Sequence, residues 1–582
     1  MSKKCYLGIF LTVSFLPSAN AGVLGVTLKP TLTFSQAYSD NLTLGSSSSR
    51  QNPESGFVTQ LAPMLNVVRD TANSKLNLTA RLQYLYYEGV DISSRLYPQL
   101  QMTSKTEVFD DSIFVDSTST IGQGNASAIG GISSSNINQS SSINSTTYRT
   151  FRFSPYWVPH LGGYAEGEVR LAYSHFGNST SGSAATTGNN IGNLGTNSYQ
   201  ESLHLKSGRK FDSSGLTWRL SLSNQDMHYV ANNNSTVRFR SYNGELSHHL
   251  LSDISAFVQA GYYDNQYSSG NISAKNGLYV TPGLSWTPSS KLSLAAGYGY
   301  NAYFSNVSWH PSPRTSFQLN YRNSKVGGSS YGLGLGGGAT ASTSGAVAGF
   351  DYNPVGGSAG GTTGAASPTG ALGASNAGST WNGSLNYHTR TSNWIASYYT
   401  TTTTLQQLLT NSPTFATPYD ANGNPIGDTT AIERAINTPN YTNGIMISKR
   451  AQMSTTWSIA KSNVSLSAYH NNITYSSSNN RPQDILGVSA NWQWQFSPRL
   501  NAGVLGHWQN SSYSGNTSLA SSNTKTDYFT VSLTLNRKIS SDINAYLQFM
   551  HTQTNSSNIN NNLNGLGMYD SNRVTASLSV TF

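Results

Sequence analysis

Ten charged side chains stand out by their placement: Arg81, Glu166, Glu168, Arg170, Lys206, Arg219, Arg322, Arg390, Asp542 and Arg573. Each occupies the parity opposite to the apolar residues of its segment, as does His204. In a strand, opposite parity means opposite face. If the apolar face meets lipid, these groups line a lumen and their chemistry is that of an ion path. Cations outnumber acids in the set, and low-dielectric walls focus such a field, so the lumen would attract anions, either anionic glycans or small ones. The competing expectation is that the arginines pair with lumen carboxylates and hold the wall together.

Other constellations are weaker. Asp420, Asn422, Asn424 and Asp428 echo a calcium loop, but Pro425 stands where glycine is required and Ala431 where the closing glutamate belongs. A polar turn is expected there, followed by a short helix capped by Thr430 and Glu433. His248 and His249 are adjacent, so in a strand they point apart and cannot share a metal. No motif selects a serine, histidine and acid as a catalytic set, so no enzyme is expected, and no catalytic residue, metal or cofactor is assigned. The basic pI does not point to nucleic acid, because no Lys/Arg stripe with interleaved aromatics occurs.

The elements that carry these residues alternate. Leu76 to Tyr84, Leu486 to Phe496, Phe529 to Leu535 and Ile543 to Phe549 each place an apolar side chain at every second position. The runs are long enough to cross a bilayer as tilted strands, which need about 9–11 residues. Short turns (Asp70 to Lys75, Thr287 to Ser290, Pro311 to Arg314, Ser392-Asn393, Lys461-Ser462, Ser497-Pro498) alternate with long connections such as 39–55, 124–145, 177–197 and 325–378. That is the pattern of an outer-membrane barrel, with the short turns periplasmic. The expected fold is all-β: a single large antiparallel transmembrane β-barrel of about 24 strands, with 20–26 as alternatives. An even count puts both termini in the periplasm. Three turns repeat one arrangement, in Trp286 to Lys291, Trp309 to Arg314 and Trp494 to Arg499, which suits a membrane–water interface.

Composition agrees. Charged residues are 10% of the 582, against roughly 25% in ordinary domains. Aromatics at 11% exclude a disordered chain. Residues 1–21 read as a signal peptide: Lys3 and Lys4, an apolar run from Tyr6 to Leu16, and cleavage near Ala21. The sole cysteine, Cys5, leaves with it. Residues 22–582 form the barrel, carrying a Gly-rich loop at about 326–378, expected as a flexible loop or a plug, and a long loop at about 405–443. With the first alternating run at Val26, a TonB-type transporter is disfavoured unless an internal loop takes the place of a plug. Val574, Ala576, Leu578, Val580 and the terminal Phe582 share one face. This ending looks like the C-terminal signal of bacterial outer-membrane proteins, which implies recognition by the barrel assembly machinery.

Several segments together resemble the outer-membrane β-barrel family associated with PEP-CTERM and exosortase exopolysaccharide systems, within the broader β-barrel porins. They are Tyr38 to Asn41, Phe57 to Met64, Trp309 to Thr315, Tyr387 to Tyr398 and Asn572 to Phe582. The resemblance implies a barrel in a Gram-negative outer membrane, in contact with lipid and lipopolysaccharide, and a link to polysaccharide export components. The leading expectation is a porin-like outer-membrane channel for exopolysaccharide or other anionic solutes. The alternatives are a secreted glycan-binding or glycan-cleaving β-solenoid and a closed barrel used for structure or surface display.

Overall fold

The computed structural model describes residues 25–44, 52–125, 145–180, 195–230, 236–266, 268–269, 272–273, 275–326, 328–329, 374–375, 378–407, 445–475, 482–513, 524–557 and 568–582. The 1–21 leader, the 420–437 segment and most of the two long loops lie outside them.

Twenty-four strands form one antiparallel sheet. In chain order they are β1 Val26–Ser39, β2 Gly56–Asp70, β3 Ser74–Glu88, β4 Arg95–Phe109, β5 Ile113–Asn125 and β6 Ser145–Trp157. Next come β7 Ala165–Thr180, β8 Gly195–Ser207, β9 Leu216–Tyr229, β10 Thr236–His249, β11 Ile254–Tyr263 and β12 Gly277–Ser289. Then follow β13 Leu292–Tyr298, β14 Ala302–Ser312, β15 Thr315–Ser324, β16 Gly378–His388, β17 Ser392–Thr404 and β18 Ile445–Ile459. The last six are β19 Ser462–Tyr475, β20 Gln483–Ser497, β21 Leu500–Tyr513, β22 Thr524–Lys538, β23 Ile543–Ser557 and β24 Tyr569–Thr581. Each strand pairs with its sequence neighbour, and β1 pairs with β24 in the register Thr31↔Thr581 to Ser39↔Arg573. The sheet therefore closes on itself and leaves no edge. A solenoid, which stacks short repeats without closing, is excluded.

The outer face is banded in the way a bilayer demands. Along β22 the outward residues run Leu535, Leu533, Val531 and Phe529, then Asp527 and Lys525. Along β24 they run Val580, Leu578, Ala576 and Val574, then Asn572 and Asp570. Exposed Trp286, Trp309 and Trp494 mark the short-turn boundary, and Tyr199, Tyr242 and Tyr262 the other. Beyond the tyrosines the outer face turns ionic, with Arg238 on Asp226 at 2.6 Å and Arg240 on Asp264 at 3.2 Å. The strands thus outrun the apolar belt on the extracellular side.

The expected alternation of short and long connections holds with departures. Residues 89–94, 230–235 and 299–301 are short although they lie on the extracellular side. The turn assigned to Ser392-Asn393 falls at residues 389–391 instead, because Thr389 Oγ1 accepts from the backbone N–H of Thr391 and Ser392 and starts β17 early.

Candidate functional site: the lumen wall

The inward face of β5–β10 is ionic and internally paired. Arg170 on β7 bridges Asp116 on β5 at 2.8 Å and Glu168 on its own strand at 2.5 Å. Its guanidinium also lies 3.9 Å from the ring centre of Tyr156 on β6 and donates to Ser154 Oγ at 3.1 Å. Lys206 on β8 pairs with Glu166 directly across from it at 2.8 Å. Arg219 on β9 is the register partner of Glu245 on β10. Glu245 in turn accepts from Gln259 Nε2 on β11 at 2.9 Å. His204 Nδ1 lies 2.9 Å from Ser221 Oγ. Opposite charges one strand apart neutralise each other's field within a few ångströms, so this arc contributes little net attraction.

Of the ten charges singled out in the sequence, Arg81, Glu166, Glu168, Arg170, Lys206, Arg219, Arg322 and Arg573 face inward. Arg390 and Asp542 do not. Both lie in short turns, between β16 and β17 and between β22 and β23, and both are exposed there. Both stand past the last ladder pair of their hairpins, His388↔Asn393 and Lys538↔Asn544, where the chain stops alternating and parity no longer sets a face. The inward charges that the sequence reading missed include Lys105, the ladder partner of Asp116, and Arg152, which donates to Gln200 Oε1, besides Asp116, Glu245 and Arg450. Glu245 was within reach, because exposed Tyr242 and Leu246 fix the outward parity of β10. Asp116 sits in a run of serines and threonines with too little apolar contrast to fix its side.

The inward face of β11–β24 is different. Among the described residues it carries Arg322, Arg450 and Arg573 and no carboxylate. Arg322 lies 4.7 Å from the ring centre of Tyr279, and Arg450 lies 5.0 Å from that of Tyr469. Arg450 also donates to Gln452 Oε1 at 3.0 Å. Arg573 is buried beside Met550. Between them the wall is hydroxyl and amide. Thr530 Oγ1 is 3.2 Å from Thr552 Oγ1, and Tyr469 donates its hydroxyl to Gln509 Oε1 at 2.7 Å.

Three glycines of the wall leave no open space beside them. Aromatic side chains of the facing strand lie on the glycines: Phe304 over Gly297, Phe257 over Gly283 and Tyr469 over Gly487, each pair directly cross-strand. A Cβ on Gly283 would stand 2.3 Å from Phe257 Cζ. Glycine here gives a bed to an inward ring, a packing device of sheets.

One segment leaves the wall. Past the outer end of β17, Thr404 and Gln407 form a capping box: Thr404 Oγ1 accepts the Gln407 N–H at 3.2 Å, and Gln407 Oε1 accepts the Thr404 N–H at 3.0 Å. This box aims two amides at the far wall. Gln406 Nε2 donates to Ser174 Oγ on β7 at 3.2 Å, and Gln407 Nε2 donates to Gln225 Oε1 on β9 at 2.8 Å. Thr404 Oγ1 donates to Met227 Sδ at 3.6 Å, and Ile445 at the start of β18 packs with Met227, Tyr229 and Val237. β7 and β17 are ten places apart in a ring of 24, so the contact is close to diametric. Ser174 and Gln225 lie inside the strands, below their outer ends, which places the strap within the lumen. Six strands (β11–β16) lie on one side of it and thirteen (β18–β24 and β1–β6) on the other.

No family model matches the chain, and no curated protein sequence does. Among solved structures, the FrpB iron transporter from Neisseria meningitidis (F5-1 variant) is 10% identical, with a TM-score of 0.43 over 95% of this chain and 82% of that one. The siderophore receptor PirA from Acinetobacter baumannii is 8% identical, with a TM-score of 0.42 over 95% and 80%. A mutant ferric enterobactin receptor (PfeA) from Pseudomonas aeruginosa is 8% identical, with a TM-score of 0.43 over 95% and 80%. Similarity this low transfers no cargo to the present chain, and the barrel is established by its own closed ladder.

Proposed function

We propose that the protein is a porin-like outer-membrane channel that passes anionic solutes passively and catalyses no reaction. The observation that carries this is the imbalance on the inward face of β11–β24: three arginines and, among the described residues, no acid. A low-dielectric wall focuses their field into the lumen. The outward apolar residues of β24 fit recognition by the barrel assembly machinery after cleavage near Ala21. Exopolysaccharide, the cargo implied by the family resemblance, belongs to the same anionic class, and polysaccharide export components would be its partners.

The test is single-channel current of the refolded protein in a planar bilayer under asymmetric salt. Anion-leaning steps that an added anionic polysaccharide blocks are the expected result. Cation-leaning steps would refute the assignment. The strap from β17 favours a second reading, a closed barrel for structure or display. Silence from wild type that persists after Gln406→Ala and Gln407→Ala together, in protein that still shifts on SDS gels when boiled, would establish that one.

A further inference from the structure

The short-turn rim is electrically polarised. Six successive hairpins, from β12–β13 to β22–β23, carry exposed cations: Lys291, Arg314, Arg390, Lys461, Arg499 and Lys538, the last beside exposed, outward Arg537. Asp542 is the one acid in those turns. The remaining turns hold Asp70, Asp110, Asp111, Asp212 and Asp253 against Arg209 and Lys210. None of the six cations makes an ion pair within 4.0 Å among the described residues, whereas Asp70 on the other arc has Lys75 at 4.0 Å.

The cations stand on a fixed scaffold. Neighbouring turns are joined backbone to backbone. The Lys291 carbonyl accepts from His310 N at 2.6 Å, that of Arg314 from His388 N at 2.9 Å, that of Lys461 from Gln495 N at 2.8 Å and that of Arg499 from Lys538 N at 2.9 Å. In three turns a serine hydroxyl, of Ser289, Ser312 or Ser497, accepts the N–H of the basic residue two places on at 3.3 Å. Adjacent hairpins are two strand spacings apart, about 10 Å, so the six charges span an arc on the order of 50 Å. Outward Trp286, Trp309, Trp394, Trp457 and Trp494 lie within five residues of a cation on the same arc. Tryptophan marks the height of the lipid headgroups. The cations are therefore held at the level of lipid phosphates rather than projected into the periplasm.

We infer that this basic arc binds the phosphates of anionic phospholipids in the periplasmic leaflet. The inference rests on the barrel spanning a membrane with its short turns at one headgroup layer. The Trp girdle sets the depth, the joined turns fix the spacing, and each cation contributes an unpaired charge to an anionic surface.

The experiment is native mass spectrometry of the refolded full chain equilibrated with mixed phosphatidylglycerol and phosphatidylcholine. Wild type is expected to retain phosphatidylglycerol several-fold over phosphatidylcholine, an excess that falls as salt rises. The variant K291Q/R314Q/R390Q/K461Q/R499Q/K538Q is expected to bring the ratio near one, and R209Q/K210Q on the other arc to leave it unchanged. Should the sixfold variant not fold, K291Q/R314Q/R499Q must lower the ratio part of the way. Equal retention by wild type, an unchanged ratio in the basic-arc variants, or tighter binding of poly-glutamate than of phosphatidylglycerol would each overturn the inference. Heat-dependent gel mobility is read on the same samples. Wild type without a heat shift fails the barrel assignment, while heat-shifting wild type without lipid preference fails the lipid site alone.

Discussion

On β5–β10 inward charges meet a partner of opposite sign one or two strands away; on β11–β24 three arginines face rings, amides and hydroxyls. Both arcs line the same lumen and both bury polar side chains. The first arc gains cohesion from its charges and forgoes field. The second keeps the field and draws its cohesion from hydrogen bonds and from aromatic rings bedded on glycine. Charge in a barrel wall can therefore serve structure or permeation, and the neighbour across the ladder decides which.

The largest effect should come from breaking the ionic arc at its centre. Arg170→Met leaves Asp116 and Glu168 without their shared cation in a half-buried wall, and is expected to cost about 3 kcal/mol. Urea unfolding in lipid measures it, and a loss under about 1 kcal/mol would mean that water already solvates the acids. Gln406→Ala with Gln407→Ala removes hydrogen bonds to both Ser174 and Gln225, at roughly 1–2 kcal/mol. It should also raise conductance, by joining the two sides of the strap. A stability loss at unchanged conductance would place the strap out of the current path. Arg322→Gln, Arg450→Gln and Arg573→Gln together should move the reversal potential toward that of a neutral pore, with less effect on folding. Lys206→Gln should change stability by no more than about 1 kcal/mol, because that pair is partly exposed. If its effect on selectivity matched that of the three arginines, the contrast between the arcs would collapse.

Much of the fold was legible because lipid enforces a period of two over long runs. Leu486 to Phe496 and Val574 to Phe582 took their predicted faces, and the strand number came from counting hairpins. The ladder is local, pairing each strand with the next, so parity and turn chemistry specify nearly all of it. The site was less legible. Arg390 and Asp542 were misplaced where alternation ends, and Asp116 was hidden among hydroxyls that suit either face. The strap was beyond reach for another reason. Thr404-Leu405-Gln406-Gln407 reads as a capping box, but nothing local says that its amides reach residues more than 180 positions away. Pairing inside a strand is a property of neighbours; a contact across the ring is a property of the whole ring.

That strap has a mechanical meaning. A ring compressed from the side gives way by becoming oval, lengthening one diameter as the other shrinks. A chord between opposite points resists both changes, and Gln406 and Gln407 are its anchors. Because the chord is off centre, with six strands on one side and thirteen on the other, the stiffening is unequal. The short arc is held as a tight bow, and the long arc keeps most of the freedom to flex. Lateral pressure in the membrane would then be taken up mainly by the walls β18–β24 and β1–β6, and their bending would set how the cross-section responds to load.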